Sequence, residues 1–357
     1  MPIPTDSLLA RTISEISPVS EESRTEAEDR QLQLTKPPGS LGRLEALGNQ
    51  LAAISGECPP PDPSPALVGV FAGDHGVQAA KRVSPWPQEV TRQMALNIAA
   101  GGAAVSVLAR NAGASVRVFD VGMASPVDDP RVLDVNVRRG TDDLSSGPAM
   151  TTDEAREAVE VGIAAARQAV SEGFRCLVMG EVGIGNTTPS AALISVFTGV
   201  SPDSVTGRGT GADDEMLARK IRVIEEGIRV NGATPDDPLG ALAGVGGLEL
   251  AALAGFVLGG AACRVPVIID GVIAGAAALA AVALAPAASG YLIAGHRGAE
   301  VGIGVALERL GLEPVVAFDL RLGEGSGAAT ILPIVRGAAA VLREMATFAS
   351  AGVSERE

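Results

Sequence analysis

The feature that most constrains this chain is a repeated unit, a short apolar run that ends in Gly, Asp or a polar turn and is followed by helical sequence. Such runs lie at 66–71, 115–121, 175–179, 265–269, 291–294 and 314–318. Apolar runs of five to seven residues bounded by turns read as buried parallel strands. Helical stretches lie between them, for example at 152–172 and 213–230. Strand and helix in alternation predict a Rossmann-like α/β fold, a six-stranded parallel sheet with helices on both faces.

The composition agrees. Aromatic residues are only 3% of the 357, while glycine occurs 44 times. Small side chains let helices lie close to a sheet, which suits a layered α/β protein better than an aromatic-cored sandwich. Hydrophobic residues at 46% and charged residues at 20% exclude a disordered chain.

The two ends read differently. Residues 21–34 are helical in composition and stop at Lys36-Pro37-Pro38-Gly39, where paired prolines end a helix. Ser40 reads as the N-cap of a second helix to about residue 54, with apolar residues at helical spacing. Five prolines between Pro59 and Pro65 mark a boundary. A last helix, 326–348, would return onto the first ones. The expected organisation is a small helical domain from 1–60 and 330–357, and an α/β catalytic domain over 61–329.

With 28 basic against 42 acidic residues the net charge is −14. That field repels nucleic-acid backbones and anionic membranes, so neither is an expected partner. A small phosphorylated ligand remains compatible, because one lysine and backbone N–H groups can hold a phosphate locally. Cys58, Cys176 and Cys263 show no C-x-x-C spacing, and there are only two histidines, so no metal site is expected. The uncharged stretch 271–295 is mostly Ala and Gly and lacks flanking aromatic or basic belts. It reads as a strand end, a buried helix and another strand rather than a membrane span. The N-terminus has no basic region followed by a long apolar run, so a cytoplasmic protein is expected.

Ligands of open parallel sheets bind beyond the carboxyl ends of the strands. Four loops there stand out. Gly73-Asp74-His75-Gly76 follows the first run; Asp74 reads as a cap and His75 as the donor to a buried carbonyl. Gly180-Glu181-Val182-Gly183-Ile184-Gly185-Asn186-Thr187-Thr188 is a glycine-rich turn feeding a helix start, with Asn186, Thr187 and Thr188 as possible caps. Such a turn suits an anion, but it lacks the lysine of a nucleoside-triphosphate loop. Glu181 would repel a phosphate, so it reads as a ligand for ribose hydroxyls or as a residue ordering the loop. Gly295-His296-Arg297-Gly298-Ala299-Glu300 offers a cation and backbone donors. In Arg321-Leu322-Gly323-Glu324-Gly325-Ser326-Gly327, Glu324 lies between glycines. A carboxylate in an apolar, glycine-lined pocket has a raised pKa and serves as a general base; in an open loop it is merely solvated.

Five strings, LTKPPGSLGRLE at 34–45, GDHGV at 73–77, GEVGIGNTT at 180–188, DGVIAG at 270–275 and DLRLGEGSGAA at 319–329, occur in order across most of the chain. Together they resemble the nicotinate-nucleotide–dimethylbenzimidazole phosphoribosyltransferase family of cobalamin nucleotide-loop assembly. The resemblance implies transfer of phosphoribose from nicotinate mononucleotide to 5,6-dimethylbenzimidazole by a homodimer that needs neither cofactor nor metal. It implies Glu324 as the catalytic base and Glu181 as the second acid. It further implies Gly183, Gly185, Asn186, Thr187 and Lys220 around the donor, with Gly298 near its phosphate. Ser84, Trp86 and Gln93 fall in the region that resembles the base pocket. The sequence departs from the family pattern at Val182, Gly298 and Ser326, where Met, Ser and Thr are usual. A ligand sensor without turnover, and transfer to a different lower-ligand base, are the alternatives.

Overall fold

The computed structural model describes residues 3–209 and 211–354. Six strands form one parallel sheet: β1 (Ala66–Gly73), β2 (Ser115–Gly122), β3 (Val132–Asp134), β4 (Cys176–Val182), β5 (Val267–Ile269) and β6 (Leu292–Ala294). Their order is β3-β2-β1-β4-β5-β6. The chain therefore winds outward in one direction from β1 and in the other from β4. The connections after these two neighbours part company, which opens a crevice above their carboxyl ends.

Alternation along each strand divides the interior into two layers. Leu67, Phe71, Leu177, Met179, Val267 and Ile269 face the helices Thr152–Ser171, Leu248–Ala262 and Val272–Leu284. Val68, Val70, Val178, Ile268 and Ile293 face the opposite way, toward Val90–Ala99, Ala104–Asn111 and Leu332–Glu344. The glycines are used where helices touch. A Cβ on Gly162 would lie 1.8 Å from the Ala252 carbonyl oxygen, and one on Gly255 would lie 1.8 Å from that of Val159. The helices Thr152–Ser171 and Leu248–Ala262 thus meet backbone to backbone.

The uncharged stretch forms the buried helix Val272–Leu284 and then β6. No helix among the described residues is long and apolar enough to cross a membrane. At the ends of the chain, the Arg30 guanidinium donates to the Leu342 carbonyl, and the Thr35 N–H donates to the Ala346 carbonyl at 3.0 Å. Ala27, Ala52 and Leu342 pack together between the first helices and the last.

Three expectations are corrected. The run 314–318 does not join the main sheet. Its Val316–Ala317 pairs with His296–Arg297 in a separate two-stranded ladder, and the sixth strand is the short β3. Ser40 does not cap the following helix, which starts at Arg43 after Gly42 and has no side-chain cap. The last helix is broken into Ser326–Thr330, Leu332–Glu344 and Phe348–Ala351, with Pro333 at the start of the second piece. The Asp213 carboxylate accepts the Met216 N–H at 2.8 Å and caps Asp214–Asn231.

Candidate active site

A cavity of about 370 Å³ opens above the carboxyl ends of β4, β5 and β6. Glu181, Gly183, Gly185, Asn186, Thr187, Lys220, Gly298 and Glu324 all line it, together with Ser84 and Trp86. Gln93 does not line it; it lies exposed on the helix Val90–Ala99. That helix contributes Val90 and Met94 to the wall instead.

The acids are held by backbone that other side chains could not permit. Gly323, Glu324 and Gly325 have φ of +87°, +65° and +90°. Three consecutive left-handed residues curl the loop onto the sheet, and glycine at both flanks removes most of the strain. Beneath it, a Cβ on Gly180 would stand 2.6 Å from the Glu324 carbonyl oxygen. Gly180→Ala is therefore expected to lift this loop. It should lower the melting temperature by the equivalent of about 1–3 kcal/mol and reduce turnover with it; thermal unfolding and a rate assay check both effects.

Glu181 ends β4. One of its carboxylate oxygens takes the Asn186 amide N–H, and the other lies 3.4 Å from the Glu324 backbone N–H. Burial, with Asp270 nearby, pushes Glu181 up to about 8. Burial likewise pushes Glu324 up to about 7, and its Oε2 is buried without a partner among the described residues. Asp270, at the end of β5, accepts the Gly325 N–H at 3.2 Å and the Ala328 N–H at 2.9 Å. It thereby fixes the loop that carries Glu324. Sequence reasoning gave Asp270 no role, although an acid following a strand and preceding a glycine was the available signal.

Beside Glu181, the helix Thr187–Thr198 begins at the cavity, which Asn186 and Thr187 line. Asn186 occupies the cap position with helical backbone angles (φ −63°, ψ −19°) and its side chain makes no cap hydrogen bond; its amide N–H donates to Glu181. The uncapped helix end retains its partial positive charge. Lys220 adds a full one. It is 1% exposed, and its Nζ donates to Thr187 Oγ1 and to the Gly207 carbonyl, each at 2.9 Å. Burial lowers its pKa to about 8, with Glu300 working the other way. Arg208 and Arg321 also reach the wall.

The third side is apolar, formed by Val83, Trp86, Val90, Met94 and Val182. Gln78 shapes it from behind. Its amide donates to the Ser84 and Trp86 carbonyls at 3.1 and 2.9 Å and accepts the Ser84 N–H at 2.8 Å. Thr91 Oγ1 accepts the Ile184 N–H at 3.0 Å and holds the glycine turn against this wall. Neither Gln78 nor Thr91 was identified from the sequence, since both act through hydrogen bonds between distant segments. Gly298 leaves little room for a side chain. A Cβ there would lie 2.8 Å from the Leu320 carbonyl oxygen.

Two readings of the first loop are corrected. Asp74 does not cap the next helix; its Oδ2 accepts the Ala124 N–H at 2.8 Å. His75 does not serve a carbonyl; its Nε2 lies 2.8 Å from Glu249 Oε1. Among the described residues no group of three or more His, Cys, Asp or Glu is arranged to hold a metal ion.

Comparison with known proteins agrees with this geometry. A family model described as "Phosphoribosyltransferase" matches residues 16–353. The nicotinate-nucleotide–dimethylbenzimidazole phosphoribosyltransferase of Salinispora tropica is 54% identical, over 98% of this chain and 100% of that protein. The Chloroflexus aggregans protein of the same name is 50% identical over 98% of this chain and 99% of its own length. A crystal structure of the Thermus thermophilus enzyme superposes with a TM-score of 0.89 at 44% identity, covering 94% of this chain and 100% of that one. This chain, an enzyme of the phosphoribosyltransferase class, belongs to the nicotinate-nucleotide–dimethylbenzimidazole phosphoribosyltransferase family.

Proposed function

We propose that the enzyme transfers the phosphoribosyl group of nicotinate mononucleotide to 5,6-dimethylbenzimidazole in cobalamin biosynthesis, with Glu324 as general base. The observation that carries this reading is the buried Glu324, raised to about 7, in one cavity with the apolar residues Val83, Trp86, Val90 and Met94 and with the helix start at Thr187 beside Lys220. A flat aromatic base fits the wall of Val83, Trp86, Val90 and Met94. The donor phosphate fits the helix end at Thr187 with Lys220 beside it.

In the step that follows, one azole nitrogen attacks C1′ of the ribose. The bond from C1′ to the pyridinium nitrogen breaks, and its electron pair stays on that nitrogen. The proton of the other azole nitrogen passes to Glu324. Attack opposite the leaving ring inverts a β donor to an α product, α-ribazole 5′-phosphate, and releases nicotinate. Glu181, raised to about 8, keeps its proton near neutrality and so offers a ribose hydroxyl both a donor and an acceptor. With this reading goes the expectation of a cytoplasmic homodimer.

Incubation with nicotinate mononucleotide and a panel of benzimidazoles and purines, followed by chromatography, tests the reading. Equal amounts of nicotinate and an α-riboside phosphate are expected. Absence of nicotinate release overturns it. Excess EDTA is expected to leave the rate unchanged, because the leaving nitrogen starts out cationic and departs neutral; activity restored only by Mg²⁺ would contradict this.

A further inference from the structure

Behind the cavity, and outside its lining, lies a buried acid–base group that the reaction above does not use. The His75 and Glu249 side chains are 1% and 0% exposed, and their Nε2 and Oε1 atoms are 2.8 Å apart. Burial opposes a charge on His75, while Glu249, through its charge and its hydrogen bond, and Asp74 raise its pKa. A buried ion pair is poor evidence of stabilisation by itself, since desolvation offsets the attraction. Its placement says more than its energy.

Three chain segments converge on it, each through a glycine. A Cβ on Gly73, at the end of β1, would lie 2.6 Å from Glu249 Oε2. One on Gly247, just before the helix Leu248–Ala262, would lie 2.5 Å from His75 Cε1. One on Gly183, after β4, would lie 3.2 Å from His75 Nε2 and 3.4 Å from Asn186 Nδ2. The Gly73 carbonyl oxygen, 2.5 Å from the same point, the imidazole and the Asn186 amide therefore together fill the side of Gly183 where a side chain would project. The Gly183 carbonyl in turn accepts the Asn186 N–H at 3.1 Å, and the Asn186 amide donates to Glu181.

We propose that His75 and Glu249 are positioning residues, which fix the Gly183 turn so that Asn186 is aimed at Glu181 on the donor side of the site. The inference rests on the transferase reading and deepens it. The pair touches no substrate; it acts through Asn186.

A double-mutant cycle tests this, with Glu249→Leu made in the wild-type and in the Asn186→Ala background. Leu removes the hydrogen bond without leaving an unpaired buried carboxylate. In the wild-type background kcat/KM for nicotinate mononucleotide should fall roughly ten- to a hundredfold, as when the outer partner of an active-site ligand is lost, with KM for the base unchanged. In the Asn186→Ala background the same change should cost less than about twofold, because the residue it acts through is gone. Glu249→Gln, which still accepts from the imidazole, should restore most of the rate.

An equal fold-loss in both backgrounds, no loss at all, an equal rise in KM for the base, or a Gln variant as poor as Leu would each overturn the inference. If Glu249→Leu does not fold, His75→Gln is carried through the same cycle with the same criteria. Wild-type enzyme assayed alongside separates the two levels. A wild type without turnover overturns the transferase reading and this inference with it; additive losses in an active enzyme overturn the inference alone.

Discussion

Glu324→Gln is expected to fold and to lose turnover by about 10²–10⁴-fold, the usual contribution of general base catalysis. The amide keeps the shape of the side chain on its left-handed backbone but cannot take the azole proton. Retention of near wild-type kcat would remove Glu324 from this role. The pH dependence supplies an independent check. The base works only when ionised and titrates at about 7, so wild-type kcat/KM should fall as the pH drops through that value. Stability should move the other way. The folded value of about 7 lies above the ordinary 4.5, so between the two the folded state holds a proton that the unfolded chain has lost. The corresponding stabilisation is complete below the lower value and disappears as pH rises through the higher. Glu324→Gln removes this dependence, so its melting temperature should decline less than that of wild type as the pH rises from 4.5 to about 7.

Lys220→Met should raise KM for nicotinate mononucleotide about 10- to 100-fold, the equivalent of a charge-assisted hydrogen bond of about 1.5–3 kcal/mol. KM for the base should be unaffected, because Lys220 sits beside Thr187, at the helix start assigned to the donor phosphate. Burial lowers Lys220 to about 8, so the wild-type enzyme should also lose donor affinity as the pH rises through that value. Equal changes in both KM values would assign Lys220 to holding Thr187 and Gly207 in position rather than to binding the donor.

Much of the framework was legible because β1 and β4 are long, apolar and closed by glycine. Their apolar runs, buried on both faces, and the loops that close them carry the pattern without help from distant residues. β3 was not legible. It has three residues, Val132–Asp134, too few to show a period, while 314–318 is more apolar and yet pairs elsewhere. In the site, residue type and position drew attention to Glu181, Asn186 and Glu324. Their environments were beyond reach. Nothing local in Gly323-Glu324-Gly325 reveals that Gly180 lets the loop settle onto the sheet, and so whether the carboxyl is buried or solvated. Asn186 has the composition of a cap and the position of one, but its backbone is already helical and its amide N–H donates to Glu181. The partner of His75 lies 174 residues away, farther than any local pattern reports.

The seam between Thr152–Ser171 and Leu248–Ala262 bears on how the enzyme tolerates change. Where Gly162 and Gly255 meet the opposite main chain there are no rotamers to rearrange, and a volume increase cannot be absorbed by side-chain adjustment. A methyl group added at either glycine has one outlet, a rigid displacement of the helix whose first turn carries Glu249. Strain introduced deep in the scaffold would thus be delivered to the back of the cavity. The wall of 83–94, by contrast, is hung on the side chains of Gln78 and Thr91, which can yield locally. A larger side chain is accordingly expected to be absorbed more easily in the wall of 83–94 than at the seam, a joint with no slack.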